Sequence, residues 1–274
     1  MTDTDTMTGS LAGLAETVLA DGKIGAQDVV ELRRNHYRDG SISPEEADLL
    51  LHLYGAASDR HEDFDRLLIE ALDDYFLVGE GLKLDVRSDA VTRLRPFFGP
   101  NEGISDRTMF ELVIRLIDRG ANCPQDLFDA ALQTLEDHVL KDDRSVFSGS
   151  AGEESIDDSD VALIRKIIYG PGGVDGMFIA QREADLLFAL QKATADKSNA
   201  PAWQDTFVKG VTAYLLQAGD TPGRLDRGET EWLVGKLPAN GALHANEHAL
   251  LSYVRQIANA LDSTGEALLD QHGA

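Results

Sequence analysis

Cysteine occurs once in the 274 residues, at Cys123, so no disulfide can form within the chain and a reducing setting such as the cytoplasm is expected. No His and acid pattern surrounds Cys123, which reads as a small loop or core residue and not as a nucleophile. Long apolar runs are missing too, and a chain without them has no segment able to span a bilayer as a helix. The opening Met1-Thr2-Asp3-Thr4-Asp5-Thr6 has neither a basic stretch nor an apolar one behind it, so a secretory leader is not expected. Positive charge is scarce: 25 Lys and Arg stand against 48 Asp and Glu, a net charge of -23. Such a surface repels phosphate backbones, which excludes nucleic acid and anionic membranes as partners. It attracts divalent cations and basic protein partners. With 43% hydrophobic and 27% charged residues the chain has the composition of a folded globular protein.

What is there is a repeat. Arg33 and Tyr37, in Asp28-Val29-Val30-Glu31-Leu32-Arg33-Arg34-Asn35-His36-Tyr37, return as Arg165 and Tyr169 at an offset of 132. Glu46-Ala47-Asp48-Leu49-Leu50 returns as Glu183-Ala184-Asp185-Leu186-Leu187 at an offset of 137. Each half divides again, because an apolar residue precedes a helix start in four pairs: Ile24 and Ile42, Leu84 and Ile104, Ile156 and Ile179, Leu225 and Leu243. A long amphipathic stretch precedes each pair. Phe64, Leu67, Leu68, Ala71, Leu72 and Tyr75 form one such face; Phe128, Ala131, Leu132, Leu135 and Val139 form another. Phe207, Gly210, Val211, Tyr214 and Leu215 form a third, and a shorter first copy uses Leu11, Leu14, Ala15, Val18 and Leu19.

The spacing therefore predicts an all-α protein of four tandem three-helix units arranged as two similar halves. Residues 1–10 are expected to be disordered, 11–121 to form the first half and 122–274 the second, with a long flexible loop over 141–155 that is rich in Ser, Gly and acids.

At the eight turns an acid often stands three places after the helix-start residue. The pairs are Gly25 and Asp28, Ser43 and Glu46, Asp85 and Ser88, Ser105 and Thr108, then Asp157 and Asp160, Ala180 and Glu183, Asp226 and Glu229, His244 and Glu247. A Ser or Asp at the cap accepts a bond from a free first-turn N–H, and the following acid reaches back to the cap N–H while facing the positive helix end. Helix starts alone account for this pattern.

The same acids also suit a divalent cation. Asn35 to Glu46 overlays a 12-residue calcium loop in part, with Asp39 at position 5, Gly40 at 6, Ile42 at 8 and Glu46 at 12, though Tyr37 occupies a carboxylate position. A degenerate EF-hand-like calcium binder is therefore one alternative. His244-Ala245-Asn246-Glu247-His248 matches the H-x-x-E-H zinc pattern, and a zinc hydrolase is a second. The Gly170-Pro171-Gly172-Gly173 stretch lacks the Lys-Ser/Thr of a phosphate loop and reads as an enlarged turn.

The order helix, Ala20-Asp21-Gly22-Lys23-Ile24 with Asp28, short helix, Asp39-Gly40-Ser41-Ile42-Ser43 with Glu46, helix resembles the TerB-like modules of tellurite-resistance and stress-response proteins. Residues 11–57 carry the match most fully; the other units keep the spacing, with Leu82, Ser88 and Thr108 where the second would need Gly or acids. The resemblance implies a small helical bundle that acts through its acidic surface on a protein partner, here unidentified. It also implies that Asp21, Asp28, Asp39 and Glu46 are where Ca²⁺ or another divalent cation would bind. The expected function is accordingly a non-enzymatic scaffold or sensor.

Overall fold

A computed structural model describes residues 13, 15–16, 20–37, 40–79, 84–140, 155–170, 179–217, 222–238 and 242–274, of which 35, 36, 139 and 140 by backbone alone. The expectations for residues 1–10, for Leu11, Leu14, Val18 and Leu19, for the side chain of Val139, for 141–154 and for most of 170–176 lie outside the described residues.

The fold is mostly helical. Its helices are α1 (Ala26–His36), α2 (Pro44–Ala56), α3 (Glu62–Phe76), α4 (Ala90–Leu94), α5 (Arg107–Arg119), α6 (Gln125–Leu140), α7 (Asp158–Tyr169), α8 (Gln181–Thr194), α9 (Pro201–Gln217), α10 (Arg227–Lys236), α11 (Ala245–Ile257) and α12 (Ser263–Gln271). A 3₁₀ turn, Arg95–Phe97, extends α4. Among the described residues six two-residue strands join them: β1 (Lys23–Ile24), β2 (Asp59–Arg60), β3 (Leu77–Val78), β4 (Asp85–Val86), β5 (Arg224–Leu225) and β6 (Ala260–Leu261). Among the described residues no helix is long and apolar enough to cross a membrane. The chain divides into two compact halves, Met1–Ala131 and Leu132–Ala274, with the division inside α6 and downstream of the boundary near 121 that the repeat suggests.

In the first half α3 is the central helix. Its stripe Phe64, Leu67, Leu68, Ala71, Leu72 and Tyr75, expected from the i, i+3, i+4 spacing, is buried throughout. Burying each large side chain of that kind contributes about 1.5–3 kcal/mol before chain entropy is counted. α1, α2 and α5 all pack on α3. In the second half α9 has the same place, with α7, α8 and α11 around it and Trp203, Phe207, Val211 and Leu215 buried. Gln191 is 2% exposed in that core and accepts from both Trp203 Nε1 at 3.0 Å and Asn246 Nδ2 at 2.8 Å, which ties α8 to α9 and α11.

Of the Arg and Tyr that recur at an offset of 132, both arginines and Tyr37 tie one helix to another. Arg33 reaches Glu70 at 2.9 Å and the Tyr37 hydroxyl donates to Asp74, joining α1 to α3. Arg165 donates to Thr206 at 2.7 Å and to Asp205 at 3.3 Å, joining α7 to α9. Arg33 and Glu70 are each about half exposed, so that pair contributes at most about 1 kcal/mol and sets orientation more than stability.

One backbone bond recurs at four places. The carbonyls of Ile24, Leu84, Ile156 and Leu225 accept from the N–H groups of His61, Ala121, Ala200 and Asp262, at 2.9, 2.6, 2.7 and 3.0 Å. β1 pairs in parallel with β2 and β5 with β6 around two of these bonds, and Leu84 bridges Gly120 in parallel at a third. The last instance leads into α12, a helix that the periodicity does not predict. It lies on α10, as α3 lies on α1 and α9 on α7.

Gly120 marks how closely these crossings approach. A Cβ added there would meet Val86 Cγ2 at 2.5 Å and the Leu116 carbonyl at 2.6 Å, whereas one added at Gly235 meets nothing within 4 Å. Gly120→Ala is therefore expected to cost about 1–3 kcal/mol in urea denaturation. Gly235→Ala, inside α10, is expected to be neutral or to gain up to about 1 kcal/mol. Equal effects at the two positions would contradict the close crossing.

Candidate functional site

Five of the six turn acids are placed by the needs of helix starts; the sixth, Glu183, makes no bond to its cap Ala180, and its buried Oε2 has no hydrogen-bond partner. The first N–H groups of a helix have no partner within it, and a side-chain oxygen nearby satisfies them. The cap N–H donates to the acid three residues on at five turns: Gly25 to Asp28 (2.8 Å), Ser43 to Glu46 (2.8 Å), Asp157 to Asp160 (3.1 Å), Asp226 to Glu229 (2.8 Å) and His244 to Glu247 (2.8 Å). Ser43 Oγ accepts in return from the Glu46 N–H at 3.2 Å. Asp21 accepts from the Lys23 N–H at 2.9 Å. Asp39 lies outside the described residues. Among the described residues no group of three or more His, Cys, Asp or Glu side chains is gathered as a metal would need.

Two turns of the first half differ from the expected pairs. α5 starts one residue later than Ser105 and Thr108 suggest: Asp106 is the cap and accepts from the Met109 N–H at 3.0 Å. Asp85 sits in β4 and accepts from Asn122 Nδ2 at 2.6 Å, so it caps no helix. α4 begins instead after Asp89, whose carboxylate is engaged by the Tyr75 hydroxyl and Arg93. A strand pairing took the first of these positions and a longer-range network the second; neither is visible in local spacing.

The H-x-x-E-H residues face different ways. Glu247 is 5% exposed and bound to the His244 N–H, His248 is on the surface, and His244 Nδ1 stands 3.9 Å from Asp196. Burial pushes the Cys123 thiol up to about 12, which leaves almost no thiolate at neutral pH.

Each half holds a cleft. In the first, Asp48, Leu51, His52, Gly55 and Ala56 form one stripe of α2, opposite Arg93, Pro96 and Phe97, around a volume of about 790 Å³. Arg93 bridges the walls, donating to Asp89 at 2.8 Å, to the Pro44 carbonyl at 3.3 Å and to Asp48. Phe97 is held edge-on by Tyr54, with centroids 5.7 Å apart. Arg60 covers the Tyr54 ring at 4.0 Å, and the Tyr54 hydroxyl donates to Asp106.

In the second half Asp185, Phe188, Ala189 and Lys192 of α8 face Lys236, Leu237 and Pro238 around about 510 Å³. These four α8 positions are Asp48, Leu51, His52 and Gly55 displaced by 137, the offset of the Glu-Ala-Asp-Leu-Leu repeat. Asp185 is again paired across the cleft, to Lys236 Nζ at 2.8 Å, and accepts from Trp232 Nε1 at 3.0 Å. The clefts escaped the sequence reading, although extending the recognised offset by two helical turns would have exposed the contrast of Gly55 with Lys192.

No protein-family model, curated protein or solved structure matches the chain.

The caps carry a pH prediction. Asp157 is held below the usual carboxylate range by the Ser159 hydroxyl and the backbone N–H groups of Asp160 and Ser159. Asp226 is held down by the Glu229 side chain and by the Glu229 and Gly228 N–H groups, and Asp262 by the Thr264 hydroxyl and the Gly265 and Thr264 N–H groups. The unfolded chain binds protons more readily than the folded one at all three positions. Their stabilisation is thus full above the ordinary carboxylate range and is lost as pH falls through it. Asn still caps but does not titrate. The D157N/D226N/D262N chain is expected to show a shallower fall in melting temperature between about pH 5 and about pH 3. An unchanged acid limb would contradict the capping role.

Proposed function

We propose that the chain is a non-enzymatic, cytoplasmic scaffold or sensor of the TerB-like kind, built as four tandem three-helix units in two similar halves and working through contacts with a protein partner. The recurrent backbone bond at Ile24, Leu84, Ile156 and Leu225 supports the four-unit division. The scaffold reading is carried by one observation. Five of the six recurring acids are committed to helix starts, while both halves keep a cleft at the same repeat position with an acid–base pair across it. In this reading a divalent cation acts as a modulator at Asp21, Asp28, Asp39 and Glu46, where it relieves carboxylate repulsion and stiffens the first unit.

Thermal melting of the chelated chain, then with Ca²⁺, Mg²⁺ or Zn²⁺, tests this. A dedicated site saturated at 100 times its Kd adds about 2.7 kcal/mol. For a chain of this size that is a rise of roughly 5–10 °C. A scaffold modulated by cations is expected to show only a small rise, alike for Ca²⁺ and Mg²⁺. A large Ca²⁺-specific rise abolished by Glu46→Ala would move the protein to the calcium binders. Tightly held zinc lost in His248→Ala would make it a zinc enzyme.

A further inference from the structure

We propose that the cleft between α2 and α4 docks a basic amphipathic helix from a protein partner, with an apolar side chain seated over Gly55 and basic side chains against Asp48 and Asp89. The proposal rests on the scaffold reading and names its site and the partner's chemistry. Three features of the cleft lead to it.

The first is the floor. Leu51, Gly55, Ala56, Pro96 and Phe97 make it apolar, and Phe97 is fixed from behind by Tyr54. Gly55 keeps it open: a Cβ there would already touch Phe97 at 3.6 Å. The equivalent position in the other half carries Lys192, and that cleft is smaller, about 510 against 790 Å³. Gly has the lowest helix propensity after Pro, so its place within α2 weakens that helix relative to Ala. The space it leaves is the compensating feature.

The second is charge. Arg93 is the cation among the lining residues. It is only 19% exposed and is bonded to Asp48, Asp89 and the Pro44 carbonyl. Asp48 remains 61% exposed on the rim. With a chain charge of -23 behind it, the rim favours an approaching cation.

The third is shape. Small ligands are bound in pockets that cover most of their surface. This cleft is instead an open trough along residues 48–56 of α2, a stretch of about 13 Å. That length accommodates two to three turns of a partner helix, whose anchors at i, i+3, i+4 and i+7 match the stripe Asp48, Leu51, His52 and Gly55.

The test uses the full chain and three labelled peptides of about 14 residues, followed by fluorescence anisotropy at physiological salt. One alternates Leu and Lys at helical spacing, one replaces Leu by Ser, and one replaces Lys by Glu. The Leu/Lys peptide is expected to bind at least about tenfold more tightly than the other two. Gly55→Met fills the floor without changing charge and is expected to weaken that binding by about tenfold or more. Equal binding of the Leu/Lys and Ser/Lys peptides would reduce the effect to diffuse attraction and overturn the proposal. So would an unaffected Gly55→Met chain, or no binding at all. If Gly55→Met melts early, hydrogen exchange of the unaltered chain with the Leu/Lys peptide decides: slowing in 44–56 and 90–97 supports the cleft, and slowing elsewhere or nowhere overturns it. Failure here leaves the scaffold reading standing, because that reading falls only by the ion titration, which uses no peptide.

Discussion

The backbone bond from the segment after every third helix to the carbonyl of a turn residue is the constraint on which the rest depends. An amphipathic helix cannot cover its own apolar face, and α1, α7 and α10 have theirs covered by α3, α9 and α12 laid across them. The bonds accepted by Ile24, Leu84, Ile156 and Leu225 set where that next segment begins. Ile24, Ile156 and Leu225 are themselves buried, so the residue that accepts the bond also anchors the turn in the core. With this crossing made, Arg33 and Tyr37 reach partners on α3, and Arg165 reaches one on α9. α12 follows the last such bond and covers α10, as α3 covers α1.

The acidity has two consequences that pull in opposite directions. A charge of -23 destabilises the compact state through self-repulsion. Many of the carboxylates are nevertheless placed where a negative group is favoured: at helix starts beside free N–H groups, or opposite an arginine. Asp73 is a costly exception. Only 3% exposed, it is paired with Arg119 through one oxygen and leaves the other without a partner. Burial raises its pKa despite the pull of Arg119 and Arg115. Its sign is therefore opposite to that of the caps, with a contribution that is full at low pH and lost as pH rises.

The two clefts share an offset of 137 in the sequence and differ in what lines them. The paired Asp, at 48 and 185, and the base that crosses to it persist in kind. The residues two turns along do not: His52 and Gly55 stand against Ala189 and Lys192. A repeat holds constant what its packing needs, and what differs between copies is relieved of that need.

Much of this was legible in the sequence because it depends on neighbours within one or two helical turns. The stripe from Phe64 to Tyr75 and the caps at Ser43, Asp157 and Asp226 all rest on spacings of three and four. Local spacing misplaced the start of α5 by a residue and gave Asp85 a capping role. Tertiary structure decided both: the Tyr54 hydroxyl donates to Asp106, the cap of α5, while Asn122 engages Asp85 and the Tyr75 and Arg93 network gathers around Asp89 instead. It alone also decided that Glu247 is buried while His248 is not. The clefts belong to the same class, for each is a gap between a helix and a second one about forty residues away. Periodicity along a chain reports which face of a helix is apolar; only the packing of two helices determines what is left open between them.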